Sequence, residues 1–240
     1  MSDTPGLAFK KLDLHIHTPK SLCYSERSAT LEQIVDSALA SRLDAIGITD
    51  HNTAAAIDGI REIARKKHLF VFPGMEISTR EGHILAIFEL DIPSDKLDSL
   101  LDYVRVPKDG RGDATVPAND AMEEVFQKVV EQGGLAIAAH IERWPSGFLE
   151  TNEPRGVKTR IHNSQYLSAL EITIPQNKDS WNFGKMPGYE KRHACIQASD
   201  AHALAEIGRR TVYVKMERVG LDALRSAFID YGTKILFHTE

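Results

Sequence analysis

The chain is poor in cysteine, has no excess of positive charge and contains no long apolar run. Two cysteines, Cys23 and Cys195, in 240 residues exclude a disulfide framework. Lysine and arginine number 29 against 34 aspartates and glutamates, a formal net charge of -5 at pH 7. Nothing therefore draws the molecule as a whole toward nucleic acid or an anionic membrane. No stretch has the length of a membrane span, and MSDTPGLAFKK lacks the charged start and apolar run of a signal peptide, so the cytoplasm is the expected compartment. No internal repeat is visible. With 42% hydrophobic and 26% charged residues the composition is that of an ordinary globular protein, and one domain over residues 1–240 is expected.

Periodicity gives an alternating rhythm. TLEQIVDSALASRL puts Leu31, Ile34, Val35, Ala38 and Leu39 on one helical face, and Thr30 with Gln33 has the spacing of a capping box. DAIGIT reads as a buried strand, Thr53 to Lys67 as a helix, and LFVFPGMEIS as another strand. HILAIFEL predicts a strand; SDKLDSLLDYV and AMEEVFQKVVEQGG predict helices, the second stopped by Gly133 and Gly134. LAIAAH, LSALEIT, HACIQAS, TVYVKM and KILFH complete the strands, with a helix over LDALRSAFIDYG. Two long loops are expected, VPKDGRGDATVP after residue 105 and IERWPSGFLETNEPRGVKTRIHNSQ after residue 140. The pattern is α/β and suits a small or distorted (β/α) barrel; an open doubly wound sheet competes with it.

The polar residues share a position. His15 and His17 end the alternation Leu12, Leu14, Ile16, which on a strand sends Asp13, His15 and His17 to one face, within reach of one cation. His51 follows AIGIT, Glu76 sits in PGMEIS, His83 in EGHIL, His140 ends IAAH, and Asp200 with His202 closes QASDAH. Each alone has a bland explanation, such as a helix cap, a hydrogen-bonded core imidazole or a surface side chain. Together they place six metal-preferring imidazoles and two carboxylates at strand ends, where barrel enzymes put their chemistry. His68, His162, His193 and His238 lack motif context and read as structural or surface residues.

The ordered set DLHIHT, ITDHNT, PGMEIST, GHILAIF, AAH and SDAH resembles the polymerase and histidinol phosphatase (PHP) superfamily of metal-dependent phosphoesterases, from residue 12 to about residue 215. The resemblance implies an α/β fold, a distorted (β/α)7 barrel, with two or three divalent transition metals (Zn, Fe or Mn) at the C-terminal ends of the strands. It implies that His15, His17, Glu76 and Asp200 surround one metal, and that Glu76 bridges to a second held by His83 and His140. A third would take His51 and His202. Family members usually add an acidic or histidine ligand shortly after the HxH pair; here SLCYSE stands in that place, with Cys23 the nearest candidate ligand.

By the same resemblance the expected activity is hydrolysis of a phosphate ester of a small molecule or nucleotide through a metal-bound hydroxide. Glu76, Asp200 and His202 are the candidate catalytic residues. Substrate phosphate also needs donors: Arg209 and Arg210 follow the Asp200 motif, and Arg143, Arg155, Lys158 and Arg160 lie in the loop after His140. Trp144 and Trp181 are stacking or packing residues. The alternatives are a single-strand nuclease of the same family and a non-catalytic metal-binding regulatory domain. An amidohydrolase also opens with HxH but lacks the closing Asp-x-His. No membrane partner is expected, nucleic acid is an open partner, and the sequence is silent on oligomeric state.

Overall fold

The computed structural model describes residues 6–237; His238 lies outside the described residues. In chain order the strands and helices are β1 (Ala8–Ile16), α1 (Leu31–Ala40), β2 (Ala45–Ile48), α2 (Ile57–Lys66), β3 (Phe70–Thr79) and β4 (Gly82–Ile87). Then follow α3 (Ser94–Tyr103), α4 (Met122–Glu131), β5 (Leu135–Ala138), α5 (Arg155–Asn163), β6 (Leu167–Glu171), α6 (Lys178–Asn182) and β7 (Cys195–Ile196). The last are β8 (Val212–Met216), α7 (Leu221–Ile229), α8 (Tyr231–Lys234) and β9 (Ile235–Phe237). Among the described residues no helix is long and apolar enough to cross a membrane.

The strands form one sheet in the order β7-β6-β5-β4-β3-β2-β1-β8-β9. It curls on itself. The chain just past β7 returns to the end of β1 through a parallel bridge between Ile16 and Ala201, with His17 N–H donating to Ala201 O at 3.0 Å. Seven strands thus surround an interior, while β8 and β9 lie antiparallel outside the N-terminal half of β1. Among the described residues that bridge at the mouth is the only strand pairing between the two ends of the seven-strand set, and that is the barrel's distortion.

Two apolar layers hold it. Leu12, Leu14, Phe72, Leu85, Ile87, Ile137, Ala169 and Ile196 come from β1 and β3 to β7 yet share one cluster, which only a curled sheet allows; Leu221, Leu224 and Phe228 of α7 join it. The other layer seats Ile34, Val35, Ile60, Leu97, Leu101, Phe126 and Ile161 of α1 to α5 on the outer face. The Thr30–Gln33 capping box forms in both directions, at 2.9 and 3.2 Å, so one pair of side chains satisfies two backbone groups at the start of α1. Gly133 follows α4 at φ 85°, the left-handed turn that releases a helix into the next strand.

Three expectations change. The alternation in β1 does not persist: Leu12 and Leu14 join the inner cluster, Ile16 joins the outer one, and the register with β2 shifts between Asp13 and Ile16. That irregularity turns the two histidines inward while Asp13 points elsewhere, accepting from Ser199 N at 2.9 Å and Gly208 N at 2.9 Å. His83 does not end a strand but begins β4. Because β4 runs antiparallel to β3, its start lies at the same mouth as the parallel strands' C-terminal ends. Finally, the expected loop after residue 140 contains α5, which starts directly behind Pro154, a residue whose fixed φ suits a helix entry.

Candidate metal centre

Both oxygens of the fully buried Glu76, on β3, face imidazoles. Oε1 lies 2.9 Å from His83 Nδ1 and 2.9 Å from His140 Nε2. Oε2 lies 3.1 Å from His15 Nε2, 3.2 Å from His17 Nε2 and 3.1 Å from His51 Nδ1. A carboxylate has about four lone-pair sites, so five nitrogens at these distances exceed what hydrogen bonding alone arranges. His51 shows the excess directly: its Nδ1 is buried and, despite that approach, lacks hydrogen-bond geometry to any partner.

Neighbours fix the tautomers. His15 Nδ1 donates to Glu171 Oε2 at 3.0 Å, which leaves the Nε2 lone pair turned toward Glu76 and Asp200. Ser21 does the same for His17: its hydroxyl donates to Asp50 at 2.7 Å and accepts from His51 N–H and His17 Nδ1–H, each at 3.0 Å. Asp50 in turn accepts from the backbone and hydroxyl of Thr18, both at 2.7 Å. His202 Nδ1 donates to Asp200 O at 3.0 Å, freeing its Nε2. Imidazoles held in this way are arranged as ligands.

The donor spacing fits an ion. Among the ligand atoms of His15, His17, Glu76 and Asp200, the separations His15–His17, His15–Glu76, His15–Asp200 and His17–Asp200 are 3.1 Å and His17–Glu76 is 3.2 Å. These are five of the six edges of a four-cornered donor group, the sixth, Glu76–Asp200, lying within 4.8 Å, and four such atoms can share one zinc-sized ion bound at about 2.0–2.2 Å. Two further groups have ligand atoms within 4.8 Å of one another: His51, Glu76 and His83, and His17, His51 and His202. His51 therefore stands between two groups. All eight residues read from the motifs converge on one mouth.

The electrostatics are those of a cation site. Burial opposes a charge on His15, yet Asp200, Glu76 and Glu171 raise its pKa well above 6.5. For His17, burial is likewise outweighed by hydrogen bonds to Asp200 and Glu76, and its pKa rises to about 9. Glu76 and Asp200 are held well below the carboxylate range in spite of burial, Glu76 by His51, His15 and His83, Asp200 chiefly by His15 and His17. The anionic field that pulls protons onto these rings would hold metal ions in their place. Two of the residues carry left-handed backbone, His140 at φ 28° and Asp200 at φ 50°, a strain that collects at functional positions.

The other candidates divide. Arg143 reaches the mouth, its Nη1 on Asp200 Oδ2. Arg209 is engaged by Glu206 at 2.6 Å and Ser199 O at 3.1 Å, Arg210 is exposed, and Arg160 pairs with Glu123 at 3.5 Å. Lys158 is spent on the carbonyls of Leu149 and Thr151, both at 2.7 Å. Cys23 is exposed and joins none of the ligand groups; desolvation, with Glu76, Asp200 and Asp50 nearby, pushes its thiol up to about 11, away from the thiolate a metal needs. Sequence reasoning missed Glu171, Ser21 and Asp50. Glu171 ends a strand and Asp50 precedes His51, the only signals that mark them. A cavity of about 740 Å³ lies at the opposite rim beside Arg61, Arg65, His68 and Phe70, and holds none of these residues.

Known proteins agree with this arrangement. The family model of the PHP domain matches residues 13–106, the part that carries His15, His17, His51, Glu76 and His83. The chain is 28% identical to the uncharacterized protein MJ1587 of Methanocaldococcus jannaschii over 137 residues, 54% of this chain and 67% of that one. It is 40% identical to the 5'-3' exoribonuclease Rnm of Salmonella typhimurium over 83 residues, 33% of this chain and 27% of that one. The lesion-specific endonuclease Q of Pyrococcus furiosus superposes with a TM-score of 0.70 at 18% identity, over 95% of this chain and 58% of the endonuclease. The chain thus spans about a quarter of the exoribonuclease and little more than half of the endonuclease. The ligand motifs, in order, and the barrel closed around them thus coincide with a match to the PHP domain over residues 13–106, and the fold of the whole chain is similar to that of the endonuclease.

Proposed function

We propose that the protein is a metal-dependent phosphoesterase that hydrolyses a phosphate ester of a small molecule or nucleotide. The observation that carries this reading is the convergence of five imidazoles on the two oxygens of Glu76, with Asp200 completing the group of four around His15 and His17. His15, His17, Glu76 and Asp200 would hold one ion and Glu76, His83 and His140 a second; His51 and His202 would hold a third. Bound divalent ions supply an acidified water and draw charge from phosphoryl oxygens.

The chain's own residues do the rest. Glu76 would serve two sites, its Oε1 facing His83 and His140 and its Oε2 facing His15, His17 and His51. Glu171 and Ser21 keep His15 and His17 in the ligand tautomer. Arg143, half-buried beside Asp200, offers a guanidinium to the non-bridging oxygens of a substrate phosphate.

A screen of phosphorylated metabolites and oligonucleotides with zinc-, iron- and manganese-loaded protein tests the proposal. Phosphate release that disappears in Glu76→Gln supports it; no turnover with any metal or ester removes it. The second reading, a single-strand nuclease, is favoured by the named activities of the exoribonuclease and endonuclease relatives, and chain shortening of oligonucleotides in the same screen would select it. Retained metal without any turnover would leave the regulatory-domain reading.

A further inference from the structure

Trp144 stands in an unusual place. It directly follows Arg143, whose guanidinium touches Asp200 at the mouth, yet its own side chain is 76% exposed. Among the described residues its indole has no ring, ion or hydrogen-bond partner. The other tryptophan, Trp181, is buried to 1%.

The segment that presents Trp144 is fastened on both sides. Before it, Glu142 accepts from Thr173 N, Ile174 N, Asn177 Nδ2 and Trp181 Nε1, at 2.6 to 3.2 Å. After it, Ser146 O accepts from His83 N–H at 3.1 Å, and Gly147 N–H donates to Arg143 O at 2.7 Å. Gly147 is required there, since a Cβ would lie 2.4 Å from His140 O. The turn is therefore bonded to the backbones of two proposed ligands, to His83 N–H as above and to His140 O through Arg143 N–H at 2.8 Å, so the point from which the indole projects is fixed relative to the metal centre. An indole has only two side-chain torsions, so on a fixed backbone it loses little entropy when a flat group covers it.

We propose that Trp144 is a stacking platform for a nucleobase, and that the ester hydrolysed at this centre is carried by a nucleoside. This rests on the phosphoesterase reading and narrows its substrate class. Arg143 and Trp144 then divide the ligand between them, the guanidinium taking the phosphate and the indole the base. An aromatic face accepts any base, so the platform recognises nucleotides as a class, not one sequence.

The test uses the two tryptophans as reporters. Adenosine 3'-monophosphate, adenosine 5'-monophosphate and ribose 5-phosphate are titrated into metal-loaded full-length protein while tryptophan emission and phosphate release are followed. At least one adenosine phosphate should quench the exposed Trp144, ribose 5-phosphate should not, and the quench should vanish in Trp144→Ala, where buried Trp181 still reports an intact fold. Trp144→Ala should also lower the ratio of kcat/KM for the adenosine ester over ribose 5-phosphate by about one to two decades, with Trp144→Phe restoring it. Equal quenching by ribose 5-phosphate, no quench by either adenosine phosphate, or an unchanged ratio overturns the inference. Specific quenching without phosphate release leaves the platform standing and removes the phosphoesterase reading; release without quenching does the reverse.

Discussion

Glu171 Oε2 accepts from His15 Nδ1 and from the backbone N–H of His140, both at 3.0 Å, so one buried carboxylate sets the direction of two proposed ligands, one on β1 and one just past β5. Replacing it with Gln removes the charge and presents an N–H where an acceptor is needed. Glu171→Gln should weaken metal binding by about 10- to 100-fold, the usual cost of losing a partner behind a ligand. Competition with a chelating dye measures this. Wild-type affinity would assign Glu171 to packing alone.

Glu76→Gln should abolish turnover more completely than His51→Ala. Glu76 joins five imidazoles, whereas His51 stands at the margin between groups. Values of kcat for both variants, with metal content, decide it. Equal and small losses would refute the bridging role.

The phosphate donor should be Arg143. Losing a charge-assisted contact is expected to reduce kcat/KM by about one to two decades, or about 1.5 to 3 kcal/mol, with metal content unchanged. Arg209→Ala should be near wild type, because Glu206 and Ser199 already occupy its guanidinium. A loss confined to Arg209→Ala would return the clamp to the segment after the Asp200 motif.

Protein purified without chelator should carry two or three transition metals per chain by elemental analysis. Their removal should lower Tm, because an ion present at about 1,000 times its Kd stabilises the folded state by about 4 kcal/mol. Fewer than one metal per chain, with no uptake on reconstitution, would sink the assignment.

Acid sensitivity should come from a second set of imidazoles. His162 is fully buried against Trp181, Tyr189 and His193, with neither ring nitrogen hydrogen-bonded, and burial lowers its pKa from 6.5 to about 4. Burial also lowers that of His193 to about 3. The unfolded chain thus takes up these protons first as pH falls. Stability is complete above about pH 6.5 and declines toward pH 4, with His162 contributing about 1 to 2 kcal/mol of the loss near pH 5. His162→Phe should narrow the gap between urea midpoints near pH 5 and pH 8. An unchanged gap would place the acid response elsewhere.

The eight motif residues were legible because each follows an apolar run or sits beside one, and runs of that kind end at the barrel mouth. Helix α1 was legible to its capping box. The shift in β1 was not, because Leu12, Leu14 and Ile16 alternate without a break and only pairing with β2 displaces the register. Nor was the antiparallel course of β4, since strand direction depends on a two-residue hairpin and not on the composition of HILAIF. Glu171 was hidden for another reason: a carboxylate that orients a ligand needs no fixed spacing in the chain, only a place beside it in space.

Closure of the barrel by the Ile16–Ala201 bridge bears on how the molecule is made. His17 and Asp200, 3.1 Å apart, are separated by 183 positions in the chain. The four-residue donor set therefore stays open on a nascent chain until nearly all of the barrel has left the ribosome, and an ion seated there would act as a late clasp between the first strand and the segment after β7. A fragment that ends before residue 200 would keep His15, His17 and Glu76 and lack the fourth corner, so a full complement of ions, not the presence of some metal, marks a chain made past that point.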